Sequence, residues 1–136
     1  VAIDASWGLG LGVVGGEVTP DEYLVSKVTR EVVRRTVNHK AIEHRPDESG
    51  RGTVRLDVPD ERAHAACLDE DPLRSLVDAA RTVERHFGCH QDIEWAIAHG
   101  GPLFVLQSRP VTAARKAEGP KGQSALSLIM SRFGAE

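Results

Sequence analysis

The sequence predicts an α+β fold: a mainly antiparallel sheet with one long amphipathic helix packed on it. Three observations carry that expectation. Segments rich in β-branched or alternating residues recur at 21–37 and 53–58. Residues 72–87 carry a helical apolar repeat. Two apolar runs, 92–98 and 103–109, flank the turn His99-Gly100-Gly101-Pro102 and read as a hairpin. The 136 residues amount to one domain's worth of chain.

The opening holds five glycines within residues 7–16, W-G-L-G-L-G-V-V-G-G. Gly10, Gly12 and Gly15 spell G-x-G-x-x-G, the pattern of a dinucleotide-binding turn. Such a turn needs a strand before it, a helix at once after it and an acid about 20 residues on. Val1-Ala2-Ile3 supplies a short strand, but Pro20 follows Glu17-Val18-Thr19 and stops a helix within a turn or so. Val32-Val33-Arg34-Arg35 stands where the ribose acid belongs. The pattern therefore reads as a loop, flexible or wrapped around a ligand such as phosphate, because glycine permits positive φ and close backbone approach.

Within 21–37, Tyr23, Leu24, Val25, Val28, Val32, Val33 and Val37 favour strands. Residues 45–52, R-P-D-E-S-G-R-G, read as an exposed loop. From Thr53 to Val58 apolar and polar residues alternate, so Val54, Leu56 and Val58 form the inner face of a half-buried strand. In 72–87, Leu73, Leu76, Val77, Ala80, Val83 and Phe87 follow the i, i+3, i+4 spacing. Asp71 suits the N-cap, Pro72 the first helical position and Gly88 the left-handed C-terminal position. Residues 113–124 are polar and read as a linker. Leu126, Ile129, Met130 and Phe133 then suggest a short amphipathic helix over 125–136, marginal alone and expected to pack on this domain or another.

Composition narrows the classes. The chain is 40% hydrophobic and 27% charged with a net charge of −3, as expected of a soluble globular protein with no basic excess for nucleic acid. No apolar run approaches the ~20 residues of a membrane span, and no stretch reads as a signal peptide. Cys67 and Cys89 lack a C-x-x-C partner, so free thiols in a cytoplasmic protein are expected; a disulfide is possible but has no support. The chain begins with Val1, and its only methionine is Met130. That suggests processing or a piece of a longer protein, and a strand already under way at residue 1 favours the piece.

The hairpin carries the chemistry. If Ala98 pairs with Leu103, Glu94 lies opposite Gln107 and Asp92 opposite Arg109. Alternation along a strand then puts Asp92, Glu94, Gln107 and Arg109 on one face. Ile93, Trp95, Ile97, Phe104 and Leu106 take the other, expected to be core. A carboxylate beside an amide oxygen offers hard ligands for Mg²⁺, and a guanidinium offers a fork for phosphate. Together they are the usual equipment for holding ATP phosphates. The plainer alternative is an exposed sheet face whose Asp92–Arg109 surface pair contributes little.

Asp92-Ile93-Glu94-Trp95-Ala96 and Leu106-Gln107-Ser108-Arg109-Pro110-Val111-Thr112 resemble the end of the nucleotide-binding domain in the phosphoenolpyruvate synthase and pyruvate phosphate dikinase family, which includes rifampicin phosphotransferase. Ser6-Trp7-Gly8-Leu9-Gly10, Val13-Val14 and Gly16-Glu17-Val18-Thr19-Pro20-Asp21-Glu22-Tyr23 resemble an upstream block of the same domain. The resemblance covers residues 1–112, with both blocks in the family's order. It implies part of an ATP-grasp nucleotide-binding domain, with ATP and Mg²⁺ as cofactors. It also implies that Glu94 and Gln107 meet metal and nucleotide, and that Arg109 meets the terminal phosphates. Leu11 departs from the pattern, since the family usually has an acid there; activity rather than fold is what this puts in question.

The resemblance reaches only the C-terminal part of the nucleotide domain. The earlier half, with its glycine-rich lysine segment, and the phosphohistidine domain are the partners it implies. None of His39, His44, His64, His86, His90 and His99 matches the phosphohistidine motif. His86 and His90 are four residues apart and could hold a metal, but Gly88 is expected to break the helix between them; a helix-end histidine meeting the dipole is the simpler reading. Lys40 sits where the family has a lysine, with little catalytic part expected of it. The implied function is the ATP-binding part of a dikinase-type phosphotransferase: ATP yields AMP and phosphate, and a phosphohistidine elsewhere passes the phosphoryl group to pyruvate or an antibiotic hydroxyl. Alone, the chain would be catalytically incomplete. The alternative is a truncated, non-catalytic binding or scaffold module of the same fold.

Overall fold

The computed structural model describes residues 1–112. The expected linker 113–124 and helix 125–136 lie outside them. The order of elements is β1 (Ala2–Ala5), α1 (Leu11–Val14), β2 (Asp21–Val25), β3 (Val32–Thr36), β4 (Ile42–Pro46), β5 (Thr53–Asp57), α2 (Asp60–Ala63), α3 (Glu70–Phe87), β6 (Gln91–Ile97) and β7 (Leu103–Pro110). The α+β class holds: β1-β2-β3, β4-β5 and β6-β7 form three sheets, and every named strand pair is antiparallel. The chain divides into two units. One comprises Ala2–Val25 and Val32–Asp69; the other comprises Val1, Ser26–Glu31 and the chain from Glu70 onward.

In the first unit, β2 is the central strand of its sheet and alternates strictly. Asp21, Tyr23 and Val25 are buried, while Glu22 and Leu24 are half-buried. Ile3 and Ala5 of β1 join the buried set. The edge strand β3, V-V-R-R-T, is exposed over its last four residues, and Arg34 and Arg35 there discourage pairing with another edge.

Two of the five opening glycines, Gly8 and Gly12, are used for close packing, while Gly10 and Gly16 face open space. Gly8, at φ +71°, forms a bridge with His44, and a side chain there would overlap the His44 carbonyl oxygen. Gly12 in α1 is buried, and a Cβ on it would press on Val18 at 3.0 Å and on the His44 ring at 3.3 Å. No dinucleotide-type helix follows, since α1 has only four residues.

Two strand readings need correction. β4 was hidden because I-E-H-R-P has one strong apolar residue, and part of it fell inside the expected loop. β5 is exposed at every position, with Val54 at 39% and Leu56 at 42% exposure, so it is not half-buried; only Val58, just beyond it, is buried.

In the second unit, α3 begins two residues earlier than expected. Asp71 and Pro72 lie inside the first turn rather than at the cap and first position. Proline is tolerated there because the first backbone N–H groups of a helix have no intrahelical acceptor. Leu73, Leu76, Val77 and Ala80 are buried, but Phe87 is 56% exposed and leaves the stripe. Gly88, at φ +71°, ends the helix as expected and its N–H is donated to the Glu84 carbonyl at 2.8 Å. α3 packs against β6 and β7. The segment Ser26–Glu31 is tied to α3 by Lys27–Glu84 at 2.6 Å and Arg30–Asp78 at 3.1 Å.

Candidate functional site

The hairpin has the expected register at its open end. Asp92 opposes Arg109 and Glu94 opposes Gln107. At the turn the pairing is shifted: Ile97, not Ala98, opposes Leu103. The Gly101 N–H is donated to the Ala98 carbonyl at 2.8 Å, and Gly100 takes φ +62°, which enlarges the turn. A bulge beside Glu94 and Trp95 restores the register. Trp95 therefore opposes Val105 rather than Leu106. This also corrects the expected core face. Phe104 and Leu106 are 50% and 64% exposed, and Ile93, Trp95 and Ile97 are only half-buried.

On the polar face, the Arg109 Nε and Nη2 groups both engage Asp92 Oδ2 at 2.8 Å. The two side chains are half exposed, at 50% and 51%. Asp92 fixes the guanidinium and leaves Nη1 without a partner among the described residues, open to another acceptor. Glu94 and Gln107 are exposed and have no side-chain partner among the described residues. Their oxygens stay available, and carboxylate plus amide oxygen is a donor set that suits Mg²⁺.

His86 and His90 are not brought together. His86 meets the Phe87 ring edge-on at 4.8 Å, and His90 Nδ1 lies 2.9 Å from Glu84 Oε1.

A second polar cluster, in the first unit, was underestimated from sequence. Lys40 and Asp21 are fully buried, and Lys40 Nζ lies 2.6 Å from Asp21 Oδ1. Lys40 also donates to the Asn38 carbonyl at 2.6 Å. Asp21 accepts the backbone N–H groups of Asn38 at 2.9 Å and Cys67 at 2.8 Å, and the Tyr23 hydroxyl at 3.3 Å. The Leu68 N–H is donated to that hydroxyl at 3.2 Å. Burial alone would raise the Asp21 pKa, but Lys40 and the two backbone donors hold it below the usual carboxylate value. Burial, with the Asp21 charge beside it, pushes the Cys67 thiol up to about 12. Both cysteines are free. Every strong donor and acceptor of this cluster is satisfied internally, which is the arrangement of a structural clamp. Pro20-Asp21 was legible as part of a motif, but nothing local marks a buried partner 19 residues away.

Nearby in the same unit, Glu43 is 4% exposed and accepts from Arg62 at 2.9 Å and Arg45 at 2.8 Å. Arg62 also lies over the Trp7 ring, 4.9 Å from its centroid, and its carbonyl accepts the Trp7 indole N–H at 2.9 Å. That cluster explains Trp7 in structural terms.

Comparison with known proteins decides the family. Residues 1–127 match the family described as pyruvate phosphate dikinase, AMP/ATP-binding domain. The chain belongs to this family. It is 37% identical over 121 residues to a probable phosphoenolpyruvate synthase of Methanocaldococcus jannaschii, covering 89% of this chain and 10% of that protein. It is 35% identical over 144 residues to the phosphoenolpyruvate synthase of Pyrococcus furiosus, covering 99% of this chain and 18% of the other. The prodigiosin synthesizing transferase PigC of Serratia marcescens is 37% identical over 116 residues, covering 85% of this chain and 13% of PigC. The chain thus spans less than a fifth of the length of these relatives. Among the described residues, no helix is long and apolar enough to cross a membrane.

Proposed function

We propose that this chain is the ATP-binding part of a dikinase-type phosphotransferase, with an ATP-grasp architecture completed by an N-terminal half of the nucleotide domain. The observation that carries the reading is the polar face of the β6–β7 hairpin. It combines a prefixed guanidinium with two unpartnered oxygen donors, in a chain whose family is defined by an AMP/ATP-binding domain.

In this reading Glu94 and Gln107 hold Mg²⁺, which would neutralise charge on the nucleotide phosphates. Arg109, oriented by Asp92, turns its free N–H groups towards the terminal phosphates. Both strands are paired along their length, so the donors sit on a braced element rather than a loop. In the whole protein ATP would yield AMP and phosphate, and a phosphohistidine in another domain would carry the phosphoryl group to pyruvate or to an antibiotic hydroxyl. The 136-residue chain by itself is catalytically incomplete in this scheme, and its setting is the cytoplasm.

The second reading, a non-catalytic module of the same fold, draws on Leu11. It stands where the family usually has an acid, and it is 52% exposed at the start of α1. Calorimetry of Mg-ATP binding separates the two. Weak, Mg²⁺-dependent binding by this chain, lost in Glu94→Ala, supports the nucleotide site. Binding unaffected by Glu94→Ala and by Arg109→Ala in a protein carrying the whole nucleotide domain would remove this face from the proposal.

A further inference from the structure

An open pocket of about 800 Å³ lies within the second unit, and none of Asp92, Glu94, Gln107 and Arg109 lines it. Lys27 and Val28, the last turns of α3 and the turn after it border it. Three cations, Lys27, Arg81 and Arg85, line it against one carboxylate, Glu84. Glu84 is already engaged by Lys27 at 2.6 Å and by His90 at 2.9 Å. Arg81 and Arg85 are different: neither has a side-chain hydrogen bond or ion pair among the described residues. They are four residues apart on α3, so their stems rise from one face about 6 Å apart. Val28 and Val111 add apolar surface to the same pocket.

Two unpaired guanidiniums one helical turn apart are unusual on a helix whose other charges are matched. Elsewhere on α3, Arg74 is paired with Glu70 at 2.9 Å, and Asp78 with Arg30 at 3.1 Å. The net charge of the chain is −3, so this concentration of positive charge is local and not a general property of the surface. Guanidinium forks match phosphoryl oxygens in geometry as well as charge. The carbonyl end of α3 opposes an anion near the pocket, so the arginines have to supply the attraction.

We propose that this pocket binds a phosphoryl group, bridged by Arg81 and Arg85 with Lys27 at its side, as a site separate from the hairpin. The group could reach it as free phosphate or as the phosphate of a small ester whose apolar part lies on Val28 and Val111.

Titration of the ¹⁵N-labelled chain with inorganic phosphate, and separately with phenyl phosphate, tests this by NMR. Saturable shifts at Gly88, Cys89 and His90 with either probe are expected. The double variant Arg81→Ala/Arg85→Ala should lose them, and Arg74→Ala should keep them. Phenyl phosphate binding about tenfold tighter or more identifies an ester ligand, and equal affinities identify the free anion. No saturable shift at millimolar concentration, or shifts unchanged in the double variant, overturns the proposal. The result is independent of the hairpin: Glu94→Ala should leave these shifts unchanged, so failure of the ATP site and failure of this pocket are distinguishable.

Discussion

Asp21–Lys40 and Asp92–Arg109 are the same chemical pair in opposite surroundings. The first is fully buried, at 0% exposure on both sides, and the backbone N–H groups of Asn38 and Cys67 are committed to its carboxylate. The second is half exposed, flanked by oxygens that have no partner among the described residues. Burial makes the first pair indispensable and chemically closed, because an ion left alone in the interior has no water to replace its partner. Exposure makes the second pair nearly worthless for stability and open to a ligand. Within one chain, then, the carboxylate–cation pair closed inside the fold and the one proposed to meet a ligand are separated by solvent access, not by composition.

The largest effect should come from breaking the buried pair. Lys40→Met leaves Asp21 charged and unpaired, and should cost about 3–5 kcal/mol in chemical denaturation. A loss as small as that of a surface variant would refute the clamp. Trp95→Ala comes next. Trp95 is half-buried, so the cost should stay below about 3 kcal/mol, short of the full-core penalty.

Acid sharpens the comparison further. Asp21, Glu43 and Glu84 all have folded pKa values below the usual range; burial opposes this in each case, and their cationic partners outweigh it. A lowered folded pKa gives stability that is complete above the unfolded value of about 4 and is lost as pH falls through the folded value. Asp4 works the other way, since burial and then Glu22 raise its pKa. Denaturation midpoints should therefore fall from about pH 5 downward, and the fall should shrink in Asp21→Asn. A flat profile in the unmodified protein would contradict the burial argument.

The smallest effect on stability belongs to the hairpin. Asp92→Ala and Arg109→Ala should each change unfolding free energy by no more than about 1 kcal/mol. Arg109→Ala should nonetheless weaken Mg-ATP binding in a protein with the complete nucleotide domain. A large stability loss with unchanged binding would reverse the roles assigned to the two pairs.

Much of the hairpin was legible because its information is local. The alternation of Asp92, Ile93, Glu94 and Trp95 sets faces, and a short turn sets which residues oppose. The turn is one residue longer than a pairing of Ala98 with Leu103 would make it, and the bulge restores the register by Glu94 and Gln107, so the polar face matches the alternation while the apolar one does not. Phe104 and Leu106 are apolar in sequence and exposed in the structure. No pattern of period two reveals whether a second layer covers a strand. β4 escaped notice for the converse reason, since its strand character comes from pairing with β5 and not from its own residues.

The α+β class, the long helix with its glycine end, the register of the open end of the hairpin and the family can all be read from the amino-acid order alone. All of these depend on short-period patterns or on contiguous motifs. Three things emerge only from the folded chain: Lys40 is a buried partner of Asp21, Gly8 and Gly12 pack closely on His44, and Arg81 and Arg85 face an open pocket without a partner among the described residues. The physical reason is common to all three. Solvent access and pairing over long sequence separations are set when segments meet, and the same residues would read alike in sequence whether they met or not.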